Sequence, residues 1–130
     1  MRAFDSNVLI YHLNDALPPD ALKRVADWIA EGAYVSVVTR IEVLGFRQSR
    51  KQVQSAERLL SLFKEVPLHE AIVQRTIRLR QEHAIKIPDA IIAASALDRD
   101  VPLVTRNTAD FGKIEGVTLV NPFENSSRST

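Results

Sequence analysis

No cysteine occurs in this chain of 130 residues, so disulfides and thiolate metal sites are excluded and nothing signals secretion. No stretch approaches the roughly 20 apolar residues needed to span a bilayer. The opening MRAF is basic, but Asp5 and Asn7 interrupt any apolar signal-peptide core. Aromatic residues make up only 6% and glycines number four; no aromatic-rich RNA-binding signature and no Gly-rich phosphate loop is present. Charge of one sign is also scarce. A formal net charge of +1 neither suggests nor excludes nucleic acid, because local distribution matters more than the total. His12, His69 and His83 share no zinc-like spacing. What remains is a cytoplasmic protein of one domain, with 45% hydrophobic residues to build a core.

Periodicity divides the chain into short strands alternating with helices. Strands are expected at Arg2 to Phe4, Tyr34 to Val38, Glu65 to Pro67 (a sheet edge, given the proline), Pro102 to Thr105 and Val117 to Val120. Helices are expected over Val8 to Leu13, Asp20 to Ala30 with Leu22, Val25, Ala26 and Ile29 inward, Thr39 to Gln48, Arg50 to Lys64 and His69 to His83. The stretch Lys86 to Asp100 is apolar on nearly every side and rich in alanine, so it reads as a buried central helix with Pro88 at its first position. Residues 1–124 then form one domain and 125–130 a polar, disordered tail. The fold class is α/β, with a mainly parallel central sheet of four to five short strands sandwiched by helices. In such sheets ligands bind at the carboxyl ends of the strands.

Four acids fall at strand ends or helix starts: Asp5, Glu42, Asp89 and Asp110. Each has an ordinary explanation. Asp5 caps the following helix; Thr39 and Glu42 match the S/T-x-x-E capping box; Asp89 sits at the positive end of a helix dipole; Asp110 is a turn residue. Together they are harder to dismiss, because the topology sends all four toward one sheet edge. Two bare carboxylates about 4 Å apart repel by roughly 4 kcal/mol at an effective dielectric near 20. Such a cluster protonates, collects lysines or binds a cation. Carboxylates without thiolate select hard ions, Mg²⁺ or Mn²⁺, which suit phosphodiester hydrolysis.

Four blocks occur in order: Phe4-Asp5-Ser6-Asn7-Val8-Leu9, Val38-Thr39-Arg40-Ile41-Glu42-Val43-Leu44-Gly45, Pro88-Asp89-Ala90-Ile91-Ile92-Ala93-Ala94, and Val104-Thr105-Arg106-Asn107 with Asp110-Phe111. In this order and spacing the chain resembles the PIN domains, most closely the VapC-type ribonuclease toxins of prokaryotic toxin–antitoxin pairs. The resemblance spans essentially the whole chain. It implies a PIN-like fold, an Mg²⁺- or Mn²⁺-dependent endoribonuclease with one or two ions, and neutralisation by a small antitoxin. It implies that Asp5 and Asp89 are the main metal ligands, with Glu42 binding metal directly or through water. Many relatives carry an acid where this chain has Asn107, so either Asn107 or Asp110 fills the fourth position. Ser6, Asn7, Thr105 and Asn107 are supporting residues, with Ser6 and Thr105 hydrogen-bonding ligand carboxylates or phosphate.

Arg40 and Arg106 are the expected RNA phosphate contacts. The substrate implied is a structured RNA such as tRNA or rRNA. Trp28 and Phe46 belong either to the core or to an apolar groove for an antitoxin helix, and the resemblance implies a homodimer with no membrane association. Two other readings compete. A haloacid-dehalogenase-type phosphatase also places Asp after its first strand, but wants a second Asp where Asn7 stands. A catalytically weak or inactive PIN-like RNA- or protein-binding module remains open because of Asn107.

Overall fold

Ala3 and Phe4 point to opposite faces of the first strand, β1 (Arg2–Phe4), and that alternation organises the molecule. The computed structural model describes residues 1–124, so the tail expected at 125–130 lies outside the described residues. After β1 come α1 (Ser6–Leu13), α2 (Pro19–Glu31), β2 (Ala33–Ser36), α3 (Val37–Leu44), α4 (Arg50–Leu60) and β3 (Lys64–Val66). Then follow α5 (Glu70–Glu82), α6 (Ile87–Arg99), β4 (Leu103–Val104), α7 (Thr108–Phe111) and β5 (Leu119–Val120). The five strands pair in the order β3-β2-β1-β4-β5, every pair parallel. The expected α/β sandwich is therefore what forms, with β3 on an edge and Pro67 just outside its ladder.

Two cores sit on the two faces. Ala3, Leu103 and Val66 pack with Ile72 and Leu79 of α5 and with α6; Phe4, Val35 and Val104 pack with α1, α2, α3 and α4. From Ala90 to Ala96 every residue of α6 is buried. The Ser95 hydroxyl, inside this run, donates to the Ile91 carbonyl at 2.8 Å, which satisfies the one polar side chain there. Ala93 is 0% exposed; a longer side chain at this position would overpack the α6–sheet contact by about 1–3 kcal/mol.

Several local expectations shift, each for a physical reason. The second strand ends at Ser36, whose hydroxyl accepts the Val38 N–H, so the cap of α3 lies three residues before Thr39. Thr39 is thus no cap, and the Thr39/Glu42 capping box does not form. A capping box does form at Ser49 and Gln52, which opens α4. In α6, Pro88 is the second residue rather than the first. Leu22 and Ala26, both expected inward, are exposed, and Ala21 with Val25 supplies the buried face of α2. Trp28 is half-buried against the α1–α4 core, with Arg2 5.0 Å over its ring. Phe46 is exposed and lines a cavity of about 210 Å³ with Ile10 and Leu13. Among the described residues no helix is long and apolar enough to cross a membrane.

Candidate active site

Parallel strands end together, and here their ends carry polar side chains. Asp5 follows β1, Ser36 closes β2 and Thr105 follows β4. Asp5 N–H donates to the Val104 carbonyl and Thr105 N–H to that of Val120, both at 2.9 Å, so ladder bonds carry both residues past the strand ends. Asp5 occupies the position before α1, yet its carboxylate makes no capping bond. It accepts instead from the Thr105 hydroxyl at 2.8 Å, and that hydroxyl in turn accepts the Asn107 N–H at 3.0 Å. Asp5 is therefore a buried carboxylate with a fixed rotamer. Asn7 is exposed on the next turn, and its N–H faces the Asp5 carboxylate without closing a cap.

Burial pushes the Asp5 pKa up to about 6, and the Asp89 and Glu42 charges push in the same direction; the Thr105 hydrogen bond opposes them. Asp89, half-buried in the first turn of α6, is raised too, first by burial and then by Glu42 and Asp110, with Lys86 opposing. A helix N-terminus favours a carboxylate. At Asp89 burial and like charge outweigh the lysine.

Glu42 is exposed on α3, 2.6 Å from the Ser6 hydroxyl, which also lies 2.9 Å from the Thr39 hydroxyl. A serine has one proton and an ionised carboxylate only accepts. Ser6 thus donates to Glu42, and Thr39 completes a buried pair of hydroxyls beneath it. Asn107 caps α7 through its side-chain oxygen, which accepts the Asp110 N–H at 3.3 Å, while its amide donates to the Asp110 carboxylate at 3.0 Å. The Asn107 side chain holds Asp110 through both of its polar atoms, and Asp110 is, after Glu42, the second carboxylate whose charge acts on Asp89.

The structure thus brings Asp5, Glu42, Asp89 and Asp110 into one electrostatic unit, graded from a buried floor to an exposed rim. None of the four is in an ion pair among the described residues. Nor, among those residues, does any group of three or more acids or histidines converge to hold an ion by itself. This open, all-oxygen set fits Mg²⁺, which is ordinarily held by one or two carboxylates and completes its shell with water and phosphate oxygens. It does not fit zinc, which wants a closed set with nitrogen or sulfur.

The two basic candidates part company. Arg40 is bound through two nitrogens to Glu65, at 2.6 and 3.2 Å, and faces β3 rather than the acids. Arg106 has no carboxylate partner among the described residues and stacks on Phe123 at 4.3 Å. Tyr11 and Phe123 were not legible as site neighbours, since nothing in the local pattern links residue 123 to residue 11. Lys86, at the N-cap of α6 and three residues before Asp89, was not singled out either, although that spacing was there to find it.

Fold and site together define a parallel α/β domain with four acids at the carboxyl edge of its sheet that are in no ion pair among the described residues. The PIN domain family model matches residues 3–117. A chain of a toxin–antitoxin complex from Klebsiella pneumoniae is 33% identical, with a TM-score of 0.80, covering 96% of this chain and 100% of that one. VapBC from Salmonella typhimurium, bound to DNA, matches at 20% identity and TM-score 0.81, covering 93% and 97%. VapBC2 from Rickettsia felis, bound to a promoter DNA fragment, matches at 22% and 0.79, covering 92% and 97%. No curated protein sequence matches the chain. This protein belongs to the PIN domain family, and its fold is that of the VapC-type members, as the four motif blocks imply.

Proposed function

We propose that the chain is a divalent-metal-dependent endoribonuclease, the toxin of a toxin–antitoxin pair, built as one domain over residues 1–124. One observation carries this reading. Four carboxylates are linked by mutual charge repulsion at the strand-end edge with no salt-bridge partner among the described residues, and both carboxyls that are withdrawn from solvent have raised pKa values. An arrangement that costs stability is expected where function requires it.

In this reading Asp5 and Asp89 hold Mg²⁺ or Mn²⁺ directly, and Glu42 and Asp110 act through its water. Such an ion, when bound, lowers the pKa of an attacking water and neutralises charge on the phosphate. The chain's own residues set up the rest. Thr105 keeps Asp5 in one rotamer. Ser6 fixes Glu42 where it can accept a proton from water, and Asn107 fixes Asp110. No side chain is required as a covalent nucleophile. The substrate class is RNA, and a structured RNA such as tRNA or rRNA is the expected target.

The Klebsiella relative comes from a toxin–antitoxin complex, which supports a small protein partner for this chain. A cavity of about 330 Å³ lined by Val25, Ile29, Leu59 and Leu62, together with exposed Phe46, offers apolar seats for a partner helix. Trp28 lines neither cavity. A homodimer is proposed on the same family grounds.

The test is cleavage of total cellular RNA by purified, partner-free protein with Mg²⁺, with Mn²⁺ and with chelator, beside Asp5→Asn. Discrete fragments that require the metal and disappear in the variant support the reading. Cleavage that survives both chelator and variant refutes the site; no cleavage by folded protein favours a binding-only module.

A further inference from the structure

Beside the acids stands a group that metal coordination does not use. Arg106 directly follows Thr105, the residue that holds Asp5, and its guanidinium lies 4.3 Å over the Phe123 ring and 5.6 Å from that of Tyr11. Its Nη1 donates to the Tyr11 hydroxyl at 3.5 Å, a long contact that a small shift would exchange for another acceptor. The two rings meet edge to face, with centroids 5.4 Å apart, and form a shelf.

The shelf is itself fastened. Arg24, from α2, donates through Nε and Nη2 to the Pro122 carbonyl at 3.1 and 2.6 Å. The Asn121 side chain accepts the Phe123 N–H at 3.0 Å, and Pro122 is buried. One long-range anchor and one local hydrogen bond thus set the position of one ring, and that ring sets the position of one exposed arginine. An arginine held flat on an aromatic presents its remaining N–H edge already oriented, and that planar fork matches phosphate oxygens in pairs. Arg40 shows the contrast, since Glu65 occupies its fork.

We propose that Arg106, on the Phe123–Tyr11 shelf, binds the RNA phosphate neighbouring the one that is cut, and that Phe123 and Arg24 are positioning residues for it. The proposal rests on the nuclease reading for its substrate. Its logic is charge balance: a crevice of four acids repels a polyanion, and a cation set to one side of them draws the strand in and fixes its register. Asp110 acts on Asp89, whereas Arg106 contacts Tyr11 of α1 and Phe123, so the two ends of the 105–110 turn serve different neighbours.

The experiment measures binding of a short fluorescein-labelled single-stranded RNA of mixed sequence by anisotropy, in chelator so that it is not cut, across a monovalent salt series. Losing one phosphate contact on a single strand should flatten the log–log salt slope by ~0.7 and weaken binding about 5-fold near 0.1 M salt. Arg106→Ala should show both changes. Phe123→Leu keeps the cation but frees it, and should weaken binding ~2- to 5-fold with the slope retained. A slope for Arg106→Ala equal to wild type overturns the contact, and wild-type affinity in Phe123→Leu overturns the shelf. Melting curves accompany both variants; a loss of stability with unchanged slope and affinity assigns Arg106 a structural role and also overturns the proposal. Wild-type cleavage, lost in Asp5→Asn, is scored separately, so the nuclease reading stands or falls on its own result.

Discussion

Asp5→Asn should stabilise the metal-free protein while abolishing its activity. Asp5 is 3% exposed and its pKa is pushed from 3.8 to about 6. Below 3.8 the carboxyl is neutral whether the chain is folded or not, and it costs nothing. Between 3.8 and about 6 the unfolded chain ionises first, so the cost accumulates as pH rises. Above about 6 the cost is complete, at roughly 3 kcal/mol for a pKa displaced this far. Asparagine removes the charge and keeps an oxygen for the Thr105 hydroxyl, but its amide hydrogens need an acceptor, which returns about 1 kcal/mol. The net gain at pH 8 is then ~2 kcal/mol, or about 5–10 °C in melting temperature for a chain of this size. Thermal melts in chelator at pH 8 and pH 4 read it: the gain should be present at the first and absent at the second. Added Mg²⁺ should raise the wild type toward the variant and move the variant little. A variant that melts at or below wild type at pH 8, or one stabilised equally at pH 4, would refute the reasoning.

Four further outcomes follow from the same geometry. Ser6→Ala removes the 2.6 Å hydrogen bond to Glu42 and should lower kcat about 10-fold with KM nearly unchanged, measured by single-turnover RNA cleavage. Asn107→Ala should cost about 1 kcal/mol of stability through the lost α7 cap and reduce cleavage. Asn107→Asp keeps the cap but turns a donor toward Asp110 into a second charge, so its melting temperature should fall in chelator and recover with Mg²⁺. Arg40→Ala should leave the salt slope of RNA binding at the wild-type value, because Glu65 already occupies that guanidinium.

The buried central helix was legible because its apolar run has no polar face to mislead, and Asp89 fell in the first turn as expected. The strand–helix alternation likewise revealed the parallel sheet and the edge at which the acids meet. Local grammar failed where a hydroxyl had two possible uses. Thr39 and Glu42 spell a capping box, but Ser36 caps first, and tertiary packing sends the Thr39 hydroxyl to Ser6. Asn107 was ambiguous for a similar reason: an amide can ligate a cation or cap a helix, and here its oxygen accepts the Asp110 N–H, three residues on. Leu22 misled because a single helical face drawn from i, i+3 and i+4 spacing leaves its angular edges undefined, and Ala21 took the inward position. The Arg106 shelf joins residues far apart in sequence, a contact that no local pattern carries.

The central claim is that Asp5, Glu42, Asp89 and Asp110 act as one cation-binding cluster. Calorimetric titration of Mn²⁺ into the wild-type protein and into Asp5→Asn and Asp89→Asn tests it most directly, with folding of each variant checked by circular dichroism. The account predicts saturable binding to wild type, with protons released near pH 6 as Asp5 ionises, and loss of that binding in both variants. Equal Mn²⁺ binding by folded wild type and folded variants, or none by any of them, would contradict it.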